Sequence, residues 1–197
     1  MRYAPFLALG AILIGGTTLA QPPVPEVPPG LSAEIKASRA AVQQFSTTLK
    51  DALQTAIKNG GPVEGIAVCH DKAGQIATDL STQLNMMVGR TSLKVRNPEN
   101  APDTWELAVL KQFEARKTQG EAVDTLEFSA VVTDDQGQKT FRYMKAIPTG
   151  TMCLSCHGTS IPPDVEAKLT ALYPKDTARG FKEGDLRGAF TLAKPLP

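Results

Sequence analysis

From residue 32 onward the apolar positions recur with helical spacing. Ile35, Ala41, Val42, Phe45, Leu49, Leu53 and Ile57 line one stripe, which predicts a long amphipathic helix over residues 32–59. Ser32 stands where an N-cap belongs, and Gly60 and Gly61 supply the stop. Pro62 suits the first turn of a second helix running to about Leu80. The apolar run Ile66–Cys69 is compatible with a short strand, but the segment's length and its alanines favour helix. An extended piece follows at Met87–Thr91, then a loop rich in proline and asparagine. Pro102 opens a further helix that ends at Gly120. There the period changes. LEFSAVVT and KTFRYMKAI are β-rich runs joined by DDQGQ, a hairpin pattern. PPDVEAKLTALY reads as a short helix and DLRGAFTLAKPL as a closing strand. Helices first, then an antiparallel sheet of four or five strands with flanking helices, is an α+β ordering.

The N-terminal stretch follows other rules. MRYAPFLALGAILIGGTTLA carries one charge, Arg2, then an apolar run closed by small residues. This is the layout of a secretory signal peptide over residues 1–20, and it predicts export to the periplasm. The run is shorter than the roughly 20 apolar residues a membrane span needs, so no membrane attachment is expected after cleavage. QPPVPEVPPG then predicts a solvated polyproline tether, making residues 21–31 a linker and 32–197 the folded domain. Removing the signal leaves 21 − 1 = 20 basic residues against 20 acidic ones. A neutral chain lacks the basic excess of nucleic-acid binding.

The chemistry-bearing residues are few: three cysteines and two histidines. Residues 152–158 read MCLSCHG, and Cys-x-x-Cys-His is the attachment signature of c-type haem. Cys153 and Cys156 can add across the two vinyl groups on one porphyrin edge. His157 then comes round beneath the ring as an iron ligand. A redox dithiol would leave His157 unexplained and would want a βαβ context. A structural zinc site would need four ligands, and only one cysteine pair is present. The cofactor expected is therefore one covalent haem c. Cys69 stands alone, followed by His70. An unpaired cysteine in an oxidising compartment is a hazard unless buried or bound, so Cys69 is either a small buried hydrophobe or a metal ligand. His70 is an alternative distal ligand, a substitute on reduction, or a solvated helix residue. Adjacent helical residues point about 100° apart, so Cys69 and His70 cannot both face one iron. Met86, Met87, Met144 and Met152 are read as packing or loop residues, with Met152 at the haem edge.

The strings AVCHDKAGQIATDL, VGRTSLKVRNPENAPDTWE, FRYMKAIPTGTMCLSCHG and LYPKDTARGFKEGDLRGAFTL, in this order, resemble a bacterial family of single-haem c-type proteins with a PAS-like fold, catalogued as a domain of unknown function. The resemblance spans roughly residues 32–196. It implies a PAS-like antiparallel sheet around one haem, with His157 as proximal ligand and a cysteine thiolate, at Cys69, as distal ligand. Arg90, Lys94, Arg96 and Arg187 fall within these strings and are candidates to meet the haem propionates.

An iron held on both faces has no open position for substrate, which argues against a resting oxygenase or peroxidase. The function expected is redox or small-ligand sensing, in which reduction or a small diatomic ligand displaces Cys69 and a redox or signalling partner reads the change. The alternatives are a small periplasmic electron-transfer cytochrome and a haem enzyme or accessory subunit. No acid–base constellation near the motif supports an enzyme.

Overall fold

The computed structural model describes residues 30–197. The expected signal peptide over residues 1–20 and all but the last two residues of the expected linker lie outside the described residues. Leu31, placed in the linker from sequence, is buried against Ile35 in the core, so the body begins there.

The first element, α1 (Ser32–Leu84), is helical throughout except at Gly60 (φ −145°) and Gly61 (φ 75°, ψ −174°). Those two residues reverse the chain. In an unbroken helix Val42 and Leu80 would lie about 57 Å apart at 1.5 Å per residue. Instead they share one hydrophobic cluster with Ile35, Ala41 and Phe45. α1 is therefore two antiparallel arms, residues 32–59 and 62–84, and Pro62 begins the second as expected. The arms pack closely at Gly65, where a Cβ would lie 2.9 Å from Leu53 Cδ1. Leu31, not Ser32, occupies the N-cap position, and no side chain caps it. Asn85, in the left-handed conformation, closes the second arm.

β1 (Met87–Thr91), β2 (Glu127–Thr133), β3 (Lys139–Pro148) and β4 (Leu186–Pro195) form one antiparallel sheet in the order β1-β4-β3-β2. Strand alternation sorts the side chains. Val88, Phe141, Tyr143, Phe190 and Leu192 pack under the α1 arms. Met144, Ala146 and Ala189 pack on the other face against Val109, Leu110 and Phe113 of α2 (Thr104–Thr118). α2 starts two residues later than Pro102, because Asp103 and Glu106 form a reciprocal capping box that fixes the boundary. The chain is thus α+β, with the sheet between a helical hairpin and a single helix. Two small helices complete it: α3 (Leu154–His157) after β3, and α4 (Pro163–Leu172) against the second arm. Among the described residues no helix is long and apolar enough to cross a membrane.

Candidate functional site

The site is built on the turn after β3. A 3-10 turn over Thr151–Cys153 runs directly into α3. Three residues of right-handed turn put the Cys153 and Cys156 side chains on one side. All three cysteines are free and half-buried. The turn closes through Gly158 N–H donating to the Leu154 carbonyl at 2.9 Å. A Cβ on residue 158 would sit 2.5 Å from that same oxygen, so glycine is required there by close approach.

The segment 173–185 holds His157 from the far side. Nδ1 lies 2.7 Å from the buried Ala178 carbonyl, which makes Nδ1 the protonated nitrogen and leaves the lone pair on Nε2. The backbone of His157 and Gly158 is tied to the same segment: Phe181 N–H donates to the His157 carbonyl and Gly180 N–H to that of Gly158, both at 2.9 Å. The Phe181 ring stands edge-on to the imidazole, centroids 6.2 Å apart. Nε2 faces Arg96 Nη1 and Arg187 Nε, each at 3.4 Å. Burial, then the nearby Arg187 and Arg96 charges, push the imidazole well below its usual pKa. The ring is therefore neutral with an unprotonated Nε2, the state that metal ligation needs.

The arginines arrive by different routes. Arg90 lies on β1 with Val88 on the face beneath the α1 arms, its guanidinium 5.4 Å above the Phe45 ring. Arg96 lies in the loop after β1. Arg187 owes its position to a bulge. Ile147 pairs with Gly188 and Pro148 with Leu186, so Arg187 has no partner in the ladder. Such a bulge re-aims a side chain. Gly188 makes room beside it, since a Cβ there would lie 2.4 Å from the Thr91 carbonyl. Burial lowers Arg90, and lowers Arg187 to about 10, with Arg96 and Arg90 adding repulsion at Arg187. Neither makes an ion pair among the described residues. Lys94 is exposed, over the Phe181 ring at 5.1 Å.

Cys69 faces this group from the second arm of α1. Burial raises its thiol pKa, and Arg90, Arg96 and Arg187 pull it down. The thiol also feels Cys153, and Cys156 feels it in turn. Ile66, one turn earlier, packs with Val165, Leu169, Tyr173 and Cys156. His70 turns away. Its side chain is 44% exposed, with Nδ1 2.7 Å from the neighbouring Asp71 carboxylate. Met86 and Met144 are buried in the cores on opposite faces of the sheet, and Met87 is exposed. Met152 is half-buried in the attachment turn.

The cysteines, His157, Met152, Arg90, Arg96 and Arg187 thus converge here, while His70, Lys94, Met86, Met87 and Met144 do not. Among the described residues no three His, Cys, Asp or Glu side chains gather as a bare ion would require. The donors line a face instead. Two thiols on one edge, one imidazole Nε2, one opposed thiol and two half-buried guanidinium groups without counter-ions among the described residues form a donor set that fits a haem with two propionates. Sequence reasoning missed Asp176, Ala178 and Phe181. The only available signal was the Asp-Thr-Ala run, which can form an Asx turn.

The family model of Tll0287 matches residues 31–195. The chain belongs to the Tll0287-like family. The crystal structure of the cyanobacterial heme-protein Tll0287 is similar to this chain with a TM-score of 0.63 and 24% sequence identity, covering 84% of this chain and 97% of that one. At that identity the likeness establishes the shared fold. No curated protein matches. For this Tll0287-like chain the match covers both arms of α1, the whole sheet and the turn over Cys153–Gly158.

Proposed function

We propose that the chain is an exported single-haem c-type protein that senses redox state or a small ligand. The observation that carries this reading is the convergence of Cys153, Cys156 and His157 with Cys69, from elements far apart in sequence, around two half-buried arginines that have no carboxylate partner among the described residues. The family's structurally similar heme-protein supports it.

In this reading Cys153 and Cys156 would hold the haem by thioether bonds, and His157 Nε2 and the Cys69 sulfur would hold its iron. The haem would supply a one-electron ferric/ferrous couple, with an anionic ligand favouring the ferric form. The chain's own contributions are separate. Ala178 holds the imidazole in the correct tautomer. Arg90 and Arg187 would pair with propionates, which relieves their desolvation. Burial keeps the Cys69 thiol protonated without metal, so its thiolate depends on coordination. Cys69 belongs to a helix arm rather than to the sheet. Loss of its bond to iron would therefore release an element that can change position while His157 stays fixed. A partner protein reads that change. Export rests on residues 1–20, and the resemblance of the sequence to PAS-like haem proteins adds weight to sensing.

Visible and electron paramagnetic resonance spectra of the purified protein, wild type beside Cys69→Ala, test this. The expected wild-type ferric spectrum is low-spin with a thiolate signature. Cys69→Ala loses that signature and keeps its haem. An unchanged spectrum contradicts the assignment. Ligand loss on reduction, with slow electron exchange, marks a sensor. Retention of both ligands with fast exchange would mark an electron carrier.

A further inference from the structure

Asp176 is the most heavily engaged carboxylate near the site, and nothing in the attachment motif accounts for it. Its side chain is 1% exposed. Oδ1 accepts from Ala178 N–H at 2.8 Å, an Asx turn. Oδ2 accepts from Arg96 Nε at 3.2 Å and Nη2 at 3.1 Å, and from Arg179 Nε at 3.2 Å. The next peptide is pinned as well, with Arg179 N–H donating to the Thr177 carbonyl at 2.9 Å. Residue 178 is thus fixed on both sides, and its carbonyl is the acceptor that orients the His157 imidazole.

Arg96 closes the circuit. The guanidinium held by Asp176 also donates from Nη2 to the carbonyls of Cys156 and Ala178, and lies 3.4 Å from His157 Nε2 through Nη1. One carboxylate therefore sets the position of the imidazole and neutralises the cation beside its free nitrogen. A burial this complete is costly unless all its partners are in place, and here they are.

We propose that Asp176 is the positioning residue of the proximal ligand and a determinant of the haem's redox poise, acting through Ala178 and Arg96 and never touching the haem. This rests on the reading of His157 as an iron ligand. Outer-shell partners of a metal-bound histidine fix its orientation and raise its basicity. A negative charge one guanidinium away favours the ferric state, which carries one more positive charge than the ferrous.

The test uses the intact haem-loaded protein as wild type, Asp176→Asn, Asp176→Ala and Glu166→Gln. Asparagine keeps an oxygen for Ala178 N–H and removes the charge. Asp176→Asn is expected to shift the ferric/ferrous ratio at fixed ambient potential at least tenfold toward ferrous, equivalent to 59 mV for a one-electron couple. Its ferric g values stay those of the wild type. Asp176→Ala shifts the ratio at least as far and also moves the g values, because Ala178 is released. Glu166 pairs with Arg179 only, so Glu166→Gln stays within twofold of wild type. Asp176 variants within twofold of wild type overturn the proposal, as does a Glu166→Gln shift as large as theirs. Should the Asp176 variants not accumulate, proton exchange in the wild type decides. The His157 Nδ1 proton is expected to persist in deuterated water long after exposed imidazole protons are lost, and rapid exchange overturns the proposal. A wild-type protein without a histidine-bound iron would remove the parent reading as well. Unchanged potentials in a histidine-ligated protein remove this proposal alone.

Discussion

Gly158→Ala isolates the geometry of the attachment turn. Backbone dihedrals do not forbid alanine here, since residue 158 has φ −73° and ψ −172°. The obstacle is contact: the new Cβ would lie 2.5 Å from the Leu154 carbonyl oxygen, about half an ångström inside the closest approach real Cβ atoms show. Backbone, not a flexible side-chain tip, must move. The turn opens, and the Gly158 N–H to Leu154 carbonyl bond of 2.9 Å goes with it. A lost hydrogen bond costs about 1 kcal/mol, and overpacking a tight site about 1–3 kcal/mol more. The expected loss is therefore about 2–4 kcal/mol, at about 2–4 °C of Tm per kcal/mol for a chain of this size. Gly74→Ala is the matched control. Residue 74 lies in the second arm of α1 with open space around it. The same change there should stabilise by about 0.5–1 kcal/mol, through helix propensity. Urea denaturation of the mature chain, followed by circular dichroism, reads both. If Gly158→Ala costs less than about 0.5 kcal/mol, within the range of an ordinary surface change, or if both substitutions move stability in the same direction, the steric argument fails.

Gly61→Ala should destabilise by about 1–3 kcal/mol, because φ 75° with ψ −174° is a region open essentially to glycine alone; chemical denaturation checks it. Glu106→Ala should cost about 2–4 kcal/mol by differential calorimetry. It removes the capping box and strands the Thr191 hydroxyl, 2.7 Å away, and one of the two carboxylate partners of Arg142. Acid should destabilise the fold. Arg39 holds the Glu127 carboxyl below its usual value, and Lys117 does so for Asp185. Where the unfolded chain binds more protons than the folded one, stability rises with pH. These contributions are complete above about pH 5 and lost as pH falls through the folded values, below 4.5 and 3.8 respectively. A denaturation midpoint that does not fall between pH 5 and pH 3 would contradict this.

The elements legible in the sequence were those announced by local chemistry. Gly60-Gly61-Pro62 marks the reversal between the α1 arms because a left-handed residue and a helix-starting proline stand side by side. The hairpin of β2 and β3 is legible from alternation and from the turn at residues 134–138. The capping box was equally visible as Asp103-x-x-Glu106, yet Pro102 drew the boundary early. At the site, the attachment motif is a contiguous pattern, and Cys69 stands out by being unpaired. Arg90 and Arg96 were reachable through resemblance. Arg187 was named the same way, but its aim at His157 comes from a bulge between β3 and β4. That register slip depends on Gly188 meeting Thr91, and no local pattern records it. Asp176 and Ala178 act through a side-chain-to-backbone turn and a main-chain carbonyl. Carbonyls carry no residue identity, so tertiary placement alone reveals that role.

Intact and peptide mass measurement of the mature protein, made in cells competent for cytochrome c maturation, is the most direct check on a covalent haem. The expected result is a coloured protein whose peptide containing residues 153–157 carries the mass of one haem, with neither cysteine open to alkylation. A colourless chain at its bare calculated mass, with Cys153 and Cys156 both alkylated, would contradict it.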